Sequence, residues 1–152
     1  MVTEPSTNAE CVFCSIVADP SRDHVVWEDA DVLAFMDINP VTDGHLLVVP
    51  KEHTVGLTDM PPALAGKVMQ VAQELARALR ASEVRCEGVN LFFAEGEAAL
   101  QEIFHSHLHV FPRYPDDGFE ISADWAGSTD DRLSHAADQV RAGLERIRSS
   151  AH

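Results

Sequence analysis

Phe104-His105-Ser106-His107-Leu108-His109-Val110-Phe111-Pro112-Arg113 is the stretch on which the fold turns. It reads as a β-strand. By the two-residue period of a strand, Phe104, Leu108 and Val110 share one face, and Ile103, His105, His107, His109 and Phe111 share the other. Alternate side chains on a strand stand roughly 7 Å apart. Three imidazoles are therefore expected side by side, projecting into one pocket. An imidazole titrates near neutrality and can act as nucleophile, proton donor or metal ligand.

Outward from this strand, the chain divides into short elements with clear punctuation. Cys11–Ala18 starts a short helix that Asp19-Pro20-Ser21 breaks. Val25–Glu28 and Val32–Met36 are expected as strands around a turn at 29–31. Residues 38–44 form a loop by their Pro, Asn and Asp-Gly signals. His45–Val49 is a buried strand that Pro50 stops. Apolar residues at 64, 68, 71, 75 and 79 predict an amphipathic helix over Ala63–Ala81, with Pro61 and Pro62 at its start. Val89–Phe93 is a further strand, and 94–100 a loop leading to the histidines. Ser128-Thr129-Asp130-Asp131 has capping-box form, with Asp for Glu. A last helix is expected from there to about Arg148, with Leu133, Ala137, Val140, Leu144 and Ile147 as a packing stripe.

Composition narrows the function. At 152 residues, 45% hydrophobic and 24% charged, the chain is sized for one domain with its own core. A formal charge of −14 argues against a nucleic-acid surface, although histidines and backbone amides can still bind a small anion. No apolar run approaches the roughly 20 residues of a membrane span. Met1–Glu10 lacks an apolar core and reads as a loose tail rather than a signal peptide. Three cysteines, Cys11, Cys14 and Cys86, do not make a disulfide scaffold, so a cytoplasmic protein with reduced thiols is expected. His24, His135 and His152 belong to no constellation and are read as surface residues.

The segment His105-Ser106-His107-Leu108-His109-Val110-Phe111 resembles the signature of the histidine-triad (HIT) superfamily of nucleotide hydrolases and transferases. Phe35-Met36-Asp37-Ile38-Asn39-Pro40, Gly44–Lys51, Gly88-Val89-Asn90 and Glu95–Ala99 with Gln101 resemble further blocks of that family, in order and spacing. The likeness runs from about Cys11 to Arg113. It implies an α+β fold: an antiparallel sheet with one long helix, joined to a second subunit across a twofold axis. Residues 1–10 would then be a flexible tail, 11–113 the HIT domain, and 114–152 an extension whose helix packs on the domain or dimer.

The resemblance also implies roles. His107 matches the family nucleophile, which forms a covalent nucleotidyl-histidine intermediate, and His109 and His45 would donate hydrogen bonds to phosphate. Phe13, Ile16 and Phe35 would enclose the base of a purine nucleotide. Asp37, on the loop with Asn39, would hold the ribose hydroxyls, and Asn90 and Gln101 would orient the phosphate region. Three positions depart from the family: Ala94 for an amide side chain, Leu100 for a common Gly, and Glu102 for Ser or Thr. Glu102 would repel phosphate unless it lay on the strand face opposite the histidines, as early pairing would place it.

Cys11-Val12-Phe13-Cys14 offers two thiolates three residues apart. That spacing suits zinc, though redox pairs share it. With no second cysteine pair, His53 and His105 are the candidate partners, an arrangement that resembles zinc-bearing relatives. Such a Cys2His2 set leaves no open position, so the zinc would be structural. Three functions stay open. The protein hydrolyses or transfers nucleotides from phosphoanhydrides or phosphoramidates through His107, or it is a hydrolase with a catalytic metal on all three triad histidines, or it binds nucleotides without turnover.

Overall fold

Two adjacent runs, Val32–Met36 and Leu46–Pro50, are buried on nearly every residue, which requires a strand covered on both faces. They lie at the middle of a five-stranded antiparallel sheet in a computed structural model that describes residues 10–20 and 24–151. The expected tail is outside these residues, apart from Glu10, and so are Ser21 and His152. The elements are α1 (Val12–Ala18), β1 (Val25–Glu28), β2 (Val32–Met36), β3 (Leu46–Pro50), α2 (Pro62–Ala81), β4 (Gly88–Phe93), β5 (Leu108–Arg113) and α3 (Asp130–Ser150), with a 3-10 turn at Glu97–Ala99. The strand order is β1-β2-β3-β5-β4.

Alternation sorts the sheet into two faces. Val32, Ala34, Leu46, Val48, Leu108 and Val110 pack against Val68, Val71, Ala72, Leu75 and Leu79 of α2. Leu33, Phe35, Leu47 and Val49 point the other way, onto Cys11 and Phe13 at the start of α1. Leu47 is opposite His109 in the β3–β5 register, so His109 stands on this second face. The sheet thus carries its main core on one side and its polar side chains on the other.

The histidine strand is shorter than expected. Pairing of β5 begins at Leu108, opposite Val48 and Phe93, so His105, Ser106 and His107 precede the sheet. The cause lies at the end of β3. Pro50 has no N–H for a ladder, and the His105 ring takes its carbonyl at 2.8 Å. The 53–60 loop holds the segment instead. Ser106 N–H donates to Thr54 O (2.6 Å), and Ser106 Oγ donates to Gly56 O (3.1 Å).

Residues 120–152 form a unit of their own. Thr129, rather than Ser128, caps α3, accepting from Arg132 N–H at 3.4 Å. Asp130 and Asp131 in the first turn complement the helix dipole. Leu133, Val140, Leu144 and Ile147 of the expected stripe are exposed. Among the described residues, no helix is long and apolar enough to cross a membrane.

Candidate functional site

The two cysteines are held by a local device. The Cys11 sulfur caps α1, accepting from Cys14 N–H at 3.4 Å, which places both thiols on the first turn. His105 Nδ1 lies 3.4 Å from the Cys11 sulfur and 3.5 Å from the Cys14 sulfur, and His53 Nδ1 lies 3.2 Å from the latter. A tetrahedral zinc with bonds of about 2.0–2.3 Å has ligand–ligand edges of roughly 3.3–3.8 Å. The donors already sit near those edges. His105 Nε2–H donates to Pro50 O, so Nδ1 is the unprotonated nitrogen and faces the sulfurs. Burial, then the hydrogen bond and charge of Cys11, push the Cys14 thiol up to about 11. A bound cation would allow both sulfurs to ionise together. This chemistry and geometry fit a closed Cys2His2 metal site.

His107 and His109 open onto a different space, a cavity of about 620 Å³. It is lined by Phe13, Ile16, Phe35, Asp37, Asn39 and His45 as well, so eight of the expected site residues meet there. Phe13 stands edge-on to both Phe35 and His107, with ring centres 5.7 and 5.1 Å apart. Asp37 Oδ1 accepts the Asn39 N–H at 2.8 Å, while Oδ2 lies 3.5 Å from His45 Nε2 and 3.7 Å from His109 Nδ1. A carboxylate has about four acceptor positions, so capacity remains for hydroxyls.

Backbone partners assign the ring tautomers. His107 Nδ1–H donates to the carbonyl of His105 at 2.7 Å, leaving Nε2 with its lone pair. His45 Nδ1 accepts from Val41 N–H at 3.0 Å, so its proton is on Nε2. That proton is directed to His109 Nδ1, 2.9 Å away, and His109 therefore carries its own on Nε2. Burial lowers the affinity of all three rings for a second proton, with His109 brought down to about 4 by burial and then by His107 and His45. At neutral pH one unprotonated ring nitrogen of the site has an uncommitted lone pair, His107 Nε2, next to an N–H donor on His109.

Several expectations are corrected by this geometry. The three triad histidines do not share one pocket. His105 is fully buried and turned to the sulfurs, which removes a catalytic metal held jointly by all three. Asp37, His45 and His109 form a second close group, but the protonated Nε2 of His45 cannot ligate a metal. Both nitrogens of His45 have partners within the protein, Nδ1 with Val41 N–H and Nε2 with His109 Nδ1.

Asn90 lies on β4 away from the cavity, and its Oδ1 accepts from Arg113 Nη1 at 2.6 Å. Arg113 also bonds Asp117 and the Phe119 carbonyl, so Asn90 braces the turn after β5. Gln101 is buried and does not line the cavity. Its amide accepts from Gly96 N–H and donates to Val55 O and Ile103 O, tying the 94–103 loop to the 53–60 loop. Glu102 does line the cavity, because the pairing that would have turned it away begins only at Leu108.

Residues 19–116 match the HIT domain family. The chain belongs to the HIT family. It is 41% identical over 141 residues to the protein Hit of Bacillus subtilis, spanning 92% of this chain and 90% of that one. A zinc-bound histidine triad family protein from Mycobacterium smegmatis superposes with a TM-score of 0.71 at 38% identity, covering 95% of this chain and 99% of that one. An adenosine 5′-monophosphoramidase of Candida albicans is 27% identical over 147 residues, covering 93% of this chain and 96% of that one.

Within this HIT-family site, reading the sequence missed four contributors. His24, set aside as a surface residue, lines the cavity. Thr54 and Ser106 are buried hydroxyls 2.9 Å apart that hold the approach to His107. The Val41 N–H selects the His45 tautomer. No sequence signal marks a backbone amide for such a role, whereas Ser106, between two histidines, could have been noticed.

Proposed function

We propose that this HIT-family protein is a nucleotide hydrolase that releases a nucleoside monophosphate from a phosphoramidate or phosphoanhydride. The observation that carries the reading is the unprotonated Nε2 of His107, set beside the Nε2–H of His109 in a cavity with an apolar wall. The relation to an adenosine 5′-monophosphoramidase supports the choice of reaction class.

In the first step His107 Nε2 attacks phosphorus in line with the leaving group. The bond to the leaving group breaks, and the leaving atom keeps the electron pair and takes a proton from water. His109 Nε2–H hydrogen-bonds the phosphoryl oxygen as charge develops. His45 is a positioning residue that keeps the donor proton of His109 on the cavity side. In the second step water attacks phosphorus, the P–N bond to His107 breaks with its pair returning to Nε2, and a proton passes to solvent. Asp37 accepts from the ribose hydroxyls, and Phe13, Ile16 and Phe35 enclose the base.

Cys11, Cys14, His53 and His105 would hold a structural zinc, which ties α1 and the 53–60 loop to the residue two before the nucleophile. We assign the catalytic domain to residues 11–113, with 114–152 as an extension. A homodimer through β4 completes the reading, since β4 is an edge strand with exposed Leu91 and Phe92 and a groove shared with Met69 of α2.

The test is an adenosine phosphoramidate labelled at phosphorus, mixed with wild type and His107→Asn, quenched and mapped for labelled peptide. Label on His107 in wild type, with turnover lost and nucleotide binding retained in the variant, is the expected result. Label on His105 or His109, or near-normal turnover by His107→Asn, overturns it.

A further inference from the structure

We propose that Glu102 makes this site selective for leaving groups that carry positive charge, an amine with a cationic tail rather than a polyphosphate; this rests on the hydrolase reading above. The cavity wall formed by the 94–103 segment holds Ala94, Leu100, Glu102 and Ile103. Three are apolar and the fourth is a carboxylate. Among the described lining residues there is no lysine or arginine, and the only basic side chains are histidines. That of His109 is kept neutral by burial.

A polyphosphate leaving group would bring further negative charge onto a wall with no side-chain cation to meet it. Glu102 is exposed to the cavity and, among the described residues, has no hydrogen-bond or ion-pair partner that would neutralise it. Leu100 is 76% exposed and forms part of the same wall, so it offers apolar contact to a short alkyl stem. Stem and charge together describe an alkylamine ending in an ammonium group. The reaction is the one above: the P–N bond breaks, the amine nitrogen keeps the pair and gains a proton, and water later opens the bond to His107.

Charges roughly 7 Å apart in a cleft open to water change an equilibrium by about threefold, so cation against anion amounts to about tenfold. The experiment uses three adenosine 5′-phosphoramidates with a common five-carbon stem, ending in ammonium, methyl or carboxylate. Wild type should show kcat/KM in that order, with about tenfold between the ends, and the spread should shrink in high salt. Glu102→Gln should flatten the series and Glu102→Lys reverse it. The same order should appear in Kd on His107→Asn protein, where no turnover intervenes. A flat series in wild type, or one unchanged by Glu102→Gln, overturns the assignment while leaving the hydrolase reading in place. Charge-ordered binding without release of nucleoside monophosphate refutes the hydrolase reading and keeps the charge preference. No binding of any compound refutes both.

Discussion

Gly44 precedes His45 at a turn closed by His45 N–H donating to Thr42 O at 3.1 Å. Its φ is +97°, where a side chain is strained. A Cβ added there would meet Val84 Cγ1 at 2.8 Å, Leu79 Cδ2 at 3.2 Å and Pro112 Cγ at 3.3 Å. Leu79 and Pro112 are buried and cannot swing into solvent. Backbone strain of about 1–2 kcal/mol adds to overpacking of about 1–3 kcal/mol. The lower chain entropy of unfolded alanine offsets about 0.4–1 kcal/mol. Gly44→Ala should therefore destabilise by about 1–4.5 kcal/mol, read as a lower urea midpoint at constant m-value. Gly118 is the control, with φ +83° and nothing within 4 Å of an added Cβ, so Gly118→Ala should show the strain alone. Equal losses in the two variants, or a Gly44→Ala loss below about 0.5 kcal/mol, would refute the contact argument.

Cys14→Ser and His105→Asn should each lower zinc content well below one per chain and lower Tm in the same preparation, measured by elemental analysis and calorimetry; full zinc retention in either would exclude that ligand. Leu100 sits at φ +68° and is mostly exposed, so Leu100→Gly relieves strain at little loss of packing and should stabilise by about 0.5–1 kcal/mol in urea unfolding. His109 should titrate near pH 4 by NMR, against 6.5 for an ordinary histidine. Because the unfolded chain binds that proton first, the stability this ring contributes is present above pH 6.5 and is lost as pH falls towards 4, so a ring titrating at 6.5 would contradict its burial. Leu91→Glu, on the β4 edge, should sediment as monomer where the parent sediments as dimer; a parent that is monomeric at micromolar concentration rules the dimer out.

Residue order alone was sufficient for most elements. The buried runs of β2 and β3, the stripe of α2 and the Gly and Pro punctuation act over a few residues, where backbone geometry and side-chain period are coupled directly. The Cys-x-x-Cys pair and the alternating histidines declare their chemistry by residue type and spacing, whereas the assignment of Phe13, Ile16, Phe35, Asp37, Asn39 and His45 to the cavity follows from the resemblance to the HIT family. What each imidazole does was decided by the tertiary path. Pro50 O orients His105 across 55 residues, and Val41 N–H sets the proton on His45 and through it on His109. Where Asn90, Gln101 and Glu102 stand was decided in the same way. Their amides and carboxylate answer to Arg113, to loop carbonyls and to the point where β5 starts pairing, and none of these is visible in local sequence. A side chain's type is local information, but the hydrogen bond that fixes its proton or its direction depends on where distant backbone comes to lie.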